Sequence, residues 1–115
     1  MDDLVFLPAH TLARRIRRRE VSALALLDAY LARVQRLDDA TNAVVVLDVQ
    51  RARQRAMAAD VALARGDNWG PLHGVPMTVK ESFNVSGLAT TWGHLSHQHN
   101  IAQANAVAVQ RLPVQ

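Results

Sequence analysis

Cysteine is absent from this chain, which removes disulfides, thiol nucleophiles and thiolate metal sites from consideration and leaves the compartment open. Long apolar runs are missing too. No stretch approaches the roughly 18 apolar residues of a spanning helix, so no membrane partner is expected. The start, Met1-Asp2-Asp3-Leu4-Val5-Phe6-Leu7-Pro8, is acidic and only briefly apolar, unlike a secretory signal peptide, and a cytoplasmic protein is the expectation. Lysine occurs once, as Lys80, beside 12 arginines. Biased coding composition accounts for arginine on the surface. The one lysine retained has a chemical distinction, because arginine is effectively never deprotonated whereas a buried lysine can be.

What remains is an ordinary globular composition, with 50% hydrophobic and 20% charged residues over 115 positions, enough for one domain or part of one. Residues 9–19 read as a short helix with Leu12 and Ile16 on one stripe. Ser22 is placed to cap a longer helix in which Leu24, Leu27, Leu31 and Val34 recur at three- and four-residue steps, with Asp38-Asp39 at its end. Helical character thus opens the chain over 9–37. The apolar run 43–47, with three successive valines, predicts a first, buried strand. Asp48 then caps an alanine-rich helix that Gly66 terminates. After a loop over 66–74, residues 75–80 predict a strand ending in Lys80, with Val75, Met77 and Val79 on one face and Pro76, Thr78 and Lys80 on the other. Asn84-Val85 suggests a short strand, and residues 102–112 a helix stopped by Pro113. This order predicts an α/β fold with a mostly buried sheet, and two clear strands suggest the start of a larger layered structure.

The run Arg14, Arg15, Arg17, Arg18 and Arg19 could bind nucleic acid or an anionic surface, but no aromatic side chains interleave to stack on bases, so the solvated face of a short helix is the preferred reading and no nucleic-acid partner is expected. His94, His97 and His99 fall in a polar loop with no acidic residue between Gly87 and Gln115, so no metal site is expected. No cofactor is expected either. His10 and His73 stand alone, and a local structural hydrogen bond is the expected role of His73.

Residues 70–93 read GPLHGVPMTVKESFNVSGLATTWG. From position alone Lys80 reads as a surface lysine whose stem lies along apolar residues. The full string resembles the first block of the amidase signature family: Gly70, Pro71, Leu72, His73, Gly74, Val75 and Pro76, then Lys80-Glu81, Gly87, and Thr90-Thr91-Trp92-Gly93. Weaker similarity covers Arg19-Glu20-Val21-Ser22, Asn42-Ala43-Val44-Val45 and residues 102–112, nearly the whole chain. Ala89 stands where many members have proline and Asn105 where aspartate is usual; after Leu112 the family pattern continues, while Pro113-Val114-Gln115 closes this sequence, which reads as a truncation or frameshift.

The resemblance implies the N-terminal part of an amidase-type fold, a central mixed sheet covered by helices, with 1–115 as an incomplete domain. It implies hydrolysis of a small-molecule carboxylic amide by a Ser-Ser-Lys relay in which Lys80 is the catalytic lysine. The serines belong to a Gly-Gly-Ser-Ser-Gly-type block that this sequence lacks: Ser22, Ser82, Ser86 and Ser96 are never adjacent, nor are any two of the five glycines. Ser82, two residues from Lys80 on the same strand face, would stand about 6.6 Å along an extended strand, too far for a direct relay. The chain alone is therefore expected to be inactive. An amidotransferase component of the same family, a non-catalytic remnant or interaction module, and a basic nucleic-acid module stand as alternatives. Exposed apolar strands would favour self-association.

Overall fold

A computed structural model describes residues 3–112. Three helices carry the architecture: α1 (Ala9–Arg17), α2 (Ala23–Thr41) and α3 (Val49–Ala64). A single-turn helix α4 (Val107–Gln110) lies near the end, and 3-10 turns occur at Leu4–Phe6 and Leu95–His97.

The ends of these helices are written in side chains. The Ser22 hydroxyl accepts from the Ala25 N–H at 3.0 Å, and the Asp60 carboxylate, reaching across from α3, accepts from Ala23 and Leu24 at 2.7 and 3.1 Å. Three of the four orphan amides at the start of α2 are thereby satisfied, with negative charge at the positive end of the helix dipole. Asp48 caps α3 through Arg51 N–H and pairs with the Arg51 guanidinium at 2.6 Å. That side-chain hydrogen bond holds the Asp48 carboxyl below its ordinary range. At the other end of α3, Gly66 takes φ +87° while Gly66 and Asp67 donate back to Leu63 and Ala62, the paired bonds of a Schellman ending. Arg19, at φ +58°, closes α1 with the same pair of bonds, from Arg19 to Ile16 and from Glu20 to Arg15.

α2 packs on two sides. Its Leu26 joins Leu12, Ala13 and Ile16 of α1 and Val75 of the later loop in one buried cluster. Its Ala23 and Leu27 meet Ala56 and Ala59 of α3 in a second, where small side chains bring the helices close together.

The central mixed sheet is not formed among the described residues. Segments 43–47 and 75–80 form neither helix nor strand, and the single β feature among the described residues is an isolated antiparallel bridge between Ala89 and Ile101. The reason is physical: an apolar, β-branched run becomes a strand only when a neighbour accepts its ladder, and no other described segment pairs with either run. The run at 43–47, expected to be buried, exposes Val45 and Leu47 by half or more. In 75–80 only Val75 is buried. No strand forms at Asn84-Val85. The helical start over 9–37 is two helices, and the second passes Asp38-Asp39 because the Asp38 carboxylate serves the chain after the helix, accepting from Ala43 and Val44, while Asn42 makes the left-handed stop. The helix expected over 102–112 shrinks to α4, since Ala102, Asn105 and Ala106 spend their polar groups on Leu88, Ser86 and Asn84. Pro113 lies outside the described residues.

Candidate functional site

The loop that leads to Lys80 is seated on the helices by three features. His73 is fully buried. Its Nδ1 accepts from the Trp69 N–H at 3.0 Å and its Nε2–H donates to the Ala59 carbonyl of α3 at 2.8 Å, so the two backbone partners select the Nε2–H tautomer. The bond from Trp69, four residues away, is the local one expected of His73, and the bond to Ala59 ties the loop to a separate helix. Gly74 adopts φ +74°, and a Cβ there would lie 3.0 Å from Ala23 Cβ and 3.3 Å from Ile16 Cγ2, so the backbone approaches α1 and α2 more closely than a larger residue allows. Trp69 covers the flank, its ring 4.9 Å from His73, with the Arg55 guanidinium 4.0 Å above it. The Arg55 Nε is buried without a hydrogen bond, and burial pushes the guanidinium below its ordinary value; the indole face is the partner its charge meets.

From Val75 the chain runs out to Lys80, which is exposed and makes no side-chain hydrogen bond or ion pair among the described residues. Lys80 does not end a buried strand. It opens a turn in which Phe83 N–H donates to the Lys80 carbonyl at 2.9 Å, so Ser82 does not share an extended strand face with it. The other serines are engaged elsewhere: Ser22 caps α2, the Ser86 N–H donates to Asn105 at 2.7 Å, and the Ser96 hydroxyl bonds the His94 ring at 2.8 Å.

Glu81, which sequence reasoning identifies only as the acidic neighbour of Lys80, has a definite task. Its carboxylate accepts from the backbone N–H groups of Thr91 and Trp92, the latter at 2.8 Å. Thr91, by its N–H and then its hydroxyl, followed by the Trp92 N–H, holds the Glu81 carboxyl below its ordinary value. The loop receiving it turns through left-handed Trp92 and Gly93, and Thr90 beneath is buried, trading two bonds of 2.9 Å with Asn100. Thus the Lys80-Glu81 turn and the Thr90-Thr91-Trp92-Gly93 loop, ten residues apart, form one unit. The signal for this in the sequence was their joint presence in one ordered motif.

Comparisons with known proteins agree with this geometry. A family model described as Amidase matches residues 25–114. The chain belongs to the Amidase family. It is 38% identical to a glutamyl-tRNA(Gln) amidotransferase component from Acidothermus cellulolyticus over 97% of its own length and 22% of that protein. It is 37% identical to an amidase of Pseudomonas putida, over 97% of this chain and 24% of that one. A solved structure, described as "An unexpected vestigial protein complex reveals the evolutionary origins of an s-triazine catabolic enzyme", superimposes with a TM-score of 0.88 at 34% identity, over 93% of this chain and 24% of that chain. The chain thus spans about a quarter of the length of these relatives, and an amidase-type fold is what it shares with them.

Within this amidase frame the other candidate groups have simpler roles. Arg17 and Arg19 donate to the carbonyls of Pro71 and Leu63 at 3.2 Å each, and Arg15 and Arg18 both approach Glu20 at 3.9 Å. Four of the five clustered arginines therefore hold neighbouring chain or an acidic partner. His94, His97 and His99 are exposed, and among the described residues no three His, Asp or Glu side chains stand close enough together to hold a metal ion. No described helix is long and apolar enough to cross a membrane.

Proposed function

We propose that this chain is the lysine-bearing portion of an enzyme that hydrolyses a small-molecule carboxylic amide in the cytoplasm, and that Lys80 is its catalytic lysine. The observation that supports this best is the ordered run from Gly70 to Gly93, which has Lys80 at its centre and seats it on a loop fixed by His73, Gly74 and Glu81. A serine hydroxyl is a weak nucleophile until a base removes its proton. In a closed site desolvation favours the neutral amine of a lysine, which then accepts that proton through a second serine. Neither serine of that relay lies in this chain, so Lys80 supplies the base and the rest of the domain the nucleophile. Lys80 being exposed accords with a partner group arriving from outside residues 3–112.

The 38% identity to an amidotransferase component supports a second reading, in which the same centre releases ammonia for transfer to an acceptor rather than to solvent. Both readings need Lys80. The exposed apolar side chains of Val45, Leu47 and Met77 support the further reading that the chain by itself associates with its own copies.

The test is substitution in the assembled enzyme. Arginine reaches as far but keeps its proton, and methionine has similar bulk without a base. Lys80→Arg and Lys80→Met are expected to fold and to lower kcat by about 10²–10⁴-fold, with substrate binding little changed. Near-normal kcat in folded Lys80→Met enzyme would remove Lys80 from the mechanism.

A further inference from the structure

Aromatic residues are scarce, 4% of the chain, yet two of them are tied to the turn that carries the lysine. The Phe83 N–H donates to the Lys80 carbonyl at 2.9 Å, and the Trp92 N–H donates to the carboxylate of Glu81, the residue after Lys80, at 2.8 Å. Phe83 is 46% exposed and Trp92 72%. Trp92 is the harder of the two to explain. It occupies a tight turn closed by the His94 N–H on the Thr91 carbonyl at 2.9 Å, with φ +57° at Trp92 and +68° at Gly93. Two successive left-handed residues are the φ signature of a type I′ turn, whose first central position favours Asn, Asp or Gly. A bulky side chain there is strained. Burial does not offset the strain, because Trp92 stays mostly exposed. Turn chemistry and packing both argue against tryptophan at this position, so the residue has a task outside local folding.

We infer that Trp92 is a specificity-determining residue of the Lys80 centre: its indole is a wall for the acyl group of the amide, and the preferred substrate is an aryl amide. This rests on the reading of Lys80 as the catalytic lysine. The Glu81 carboxylate links the two residues, for it follows Lys80 in the chain and accepts from the Thr91 and Trp92 amides across the loop. Whatever fixes the lysine turn therefore fixes the tryptophan turn as well. A planar aryl group gains contact area and offset stacking against an indole, which a methyl group does not. Phe83, bonded to the same turn, adds a second exposed ring to that surface.

The experiment builds one chain in which these 115 residues replace the matching quarter of the Pseudomonas putida amidase, and measures its hydrolysis of benzamide and of acetamide. Trp92→Ala is expected to lower the ratio of kcat/KM for benzamide to that for acetamide by about tenfold or more, mainly through KM, and Trp92→Phe to keep most of the ratio. An unmoved ratio would overturn the assignment. So would equal losses on both amides with a lower melting temperature, which is what a packing role gives. Lys80→Met separates the two readings. A Lys80-dependent enzyme whose ratio ignores Trp92→Ala sinks Trp92 alone, whereas hydrolysis that survives Lys80→Met sinks the catalytic reading and Trp92 with it. The 115-residue chain by itself gives a second readout, which holds whether or not the hybrid folds. Trp92→Gly relieves the left-handed strain, so protection of the Thr91 amide from hydrogen exchange should hold or rise. Reduced protection would make Trp92 a structural residue of the turn and end the proposal.

Discussion

Glu81 and His73 each do by hydrogen bonding what their neighbours in sequence cannot. The Glu81 carboxyl is held below the ordinary glutamate value of about 4.3, so its grip on Thr91 and Trp92 is present above that unfolded value and is lost as pH falls through the lower folded one. Protection of the Thr91 and Trp92 amides against hydrogen exchange, relative to an unstructured chain at the same pH, should accordingly fall as Glu81 is protonated below the ordinary glutamate range, and Glu81→Gln should show the lower protection already at about pH 7 with the helices intact. Slow exchange at those amides in the Gln variant would show that the charge is dispensable. His73 is buried with both ring nitrogens paired. His73→Ala leaves the Ala59 carbonyl and the Trp69 N–H without partners and opens space under the loop, so a loss of about 2–4 kcal/mol is expected in urea denaturation.

At the scale of elements, the start of α2 depends on a residue 37 positions from the first amide it caps. Removing that carboxylate by Asp60→Ala should cost about 1–2 kcal/mol, while Ser22→Ala, which takes one bond from the same terminus, should cost about 1 kcal/mol; thermal melts followed by helical circular dichroism would measure both. Equal effects would mean that Asp60 contributes no more than a local cap. The arginines of α1 and of the turn that ends it reach Pro71, Leu63 and Glu20. Replacing Arg15 and Arg18 by Gln should leave nucleic-acid affinity negligible at about 0.15 M salt, as it is expected to be before the change. Binding that is measurable and vanishes in the double variant would restore the basic-module reading.

Over the whole molecule, surface rather than core is in excess. The radius of gyration, 14.9 Å, exceeds the roughly 13 Å of a compact domain of this length. Val45, Leu47, Met77, Phe83, Trp92 and Ile101 are all exposed by more than a third. The chain on its own should therefore bind a hydrophobic dye and associate with itself as concentration rises, and addition of the remaining part of an amidase domain should reduce both. A monodisperse monomer with a sharp melt and no dye binding would contradict this. Simple amides should not be turned over by the chain alone, since no adjacent serines are present; Lys80-dependent turnover in a repurified sample would show that Ser82 or Ser96 had been misjudged.

Much was legible in the sequence because it was local. Ser22, Asp48 and Gly66 mark helix ends by bonds that span a few residues, the four-residue step from Leu12 to Ile16 marks the buried face of α1, and the run from Gly70 to Gly93 names the family, whereas in α2 only Leu27 of the expected Leu24, Leu27, Leu31 and Val34 face is buried and Leu26 beside it takes the core position. These depend on the chain's own period and capping chemistry, and need no distant partner. What only the tertiary structure decided was every feature whose partner is remote or missing. The Asp60 carboxylate reaches α2 from another helix, and the Glu81 turn is tied to a loop ten residues away. The valines of 43–47 and the lysine-bearing 75–80 have strand chemistry but no strand, because a β ladder is a property of two segments and the sequence shows only one of them at a time.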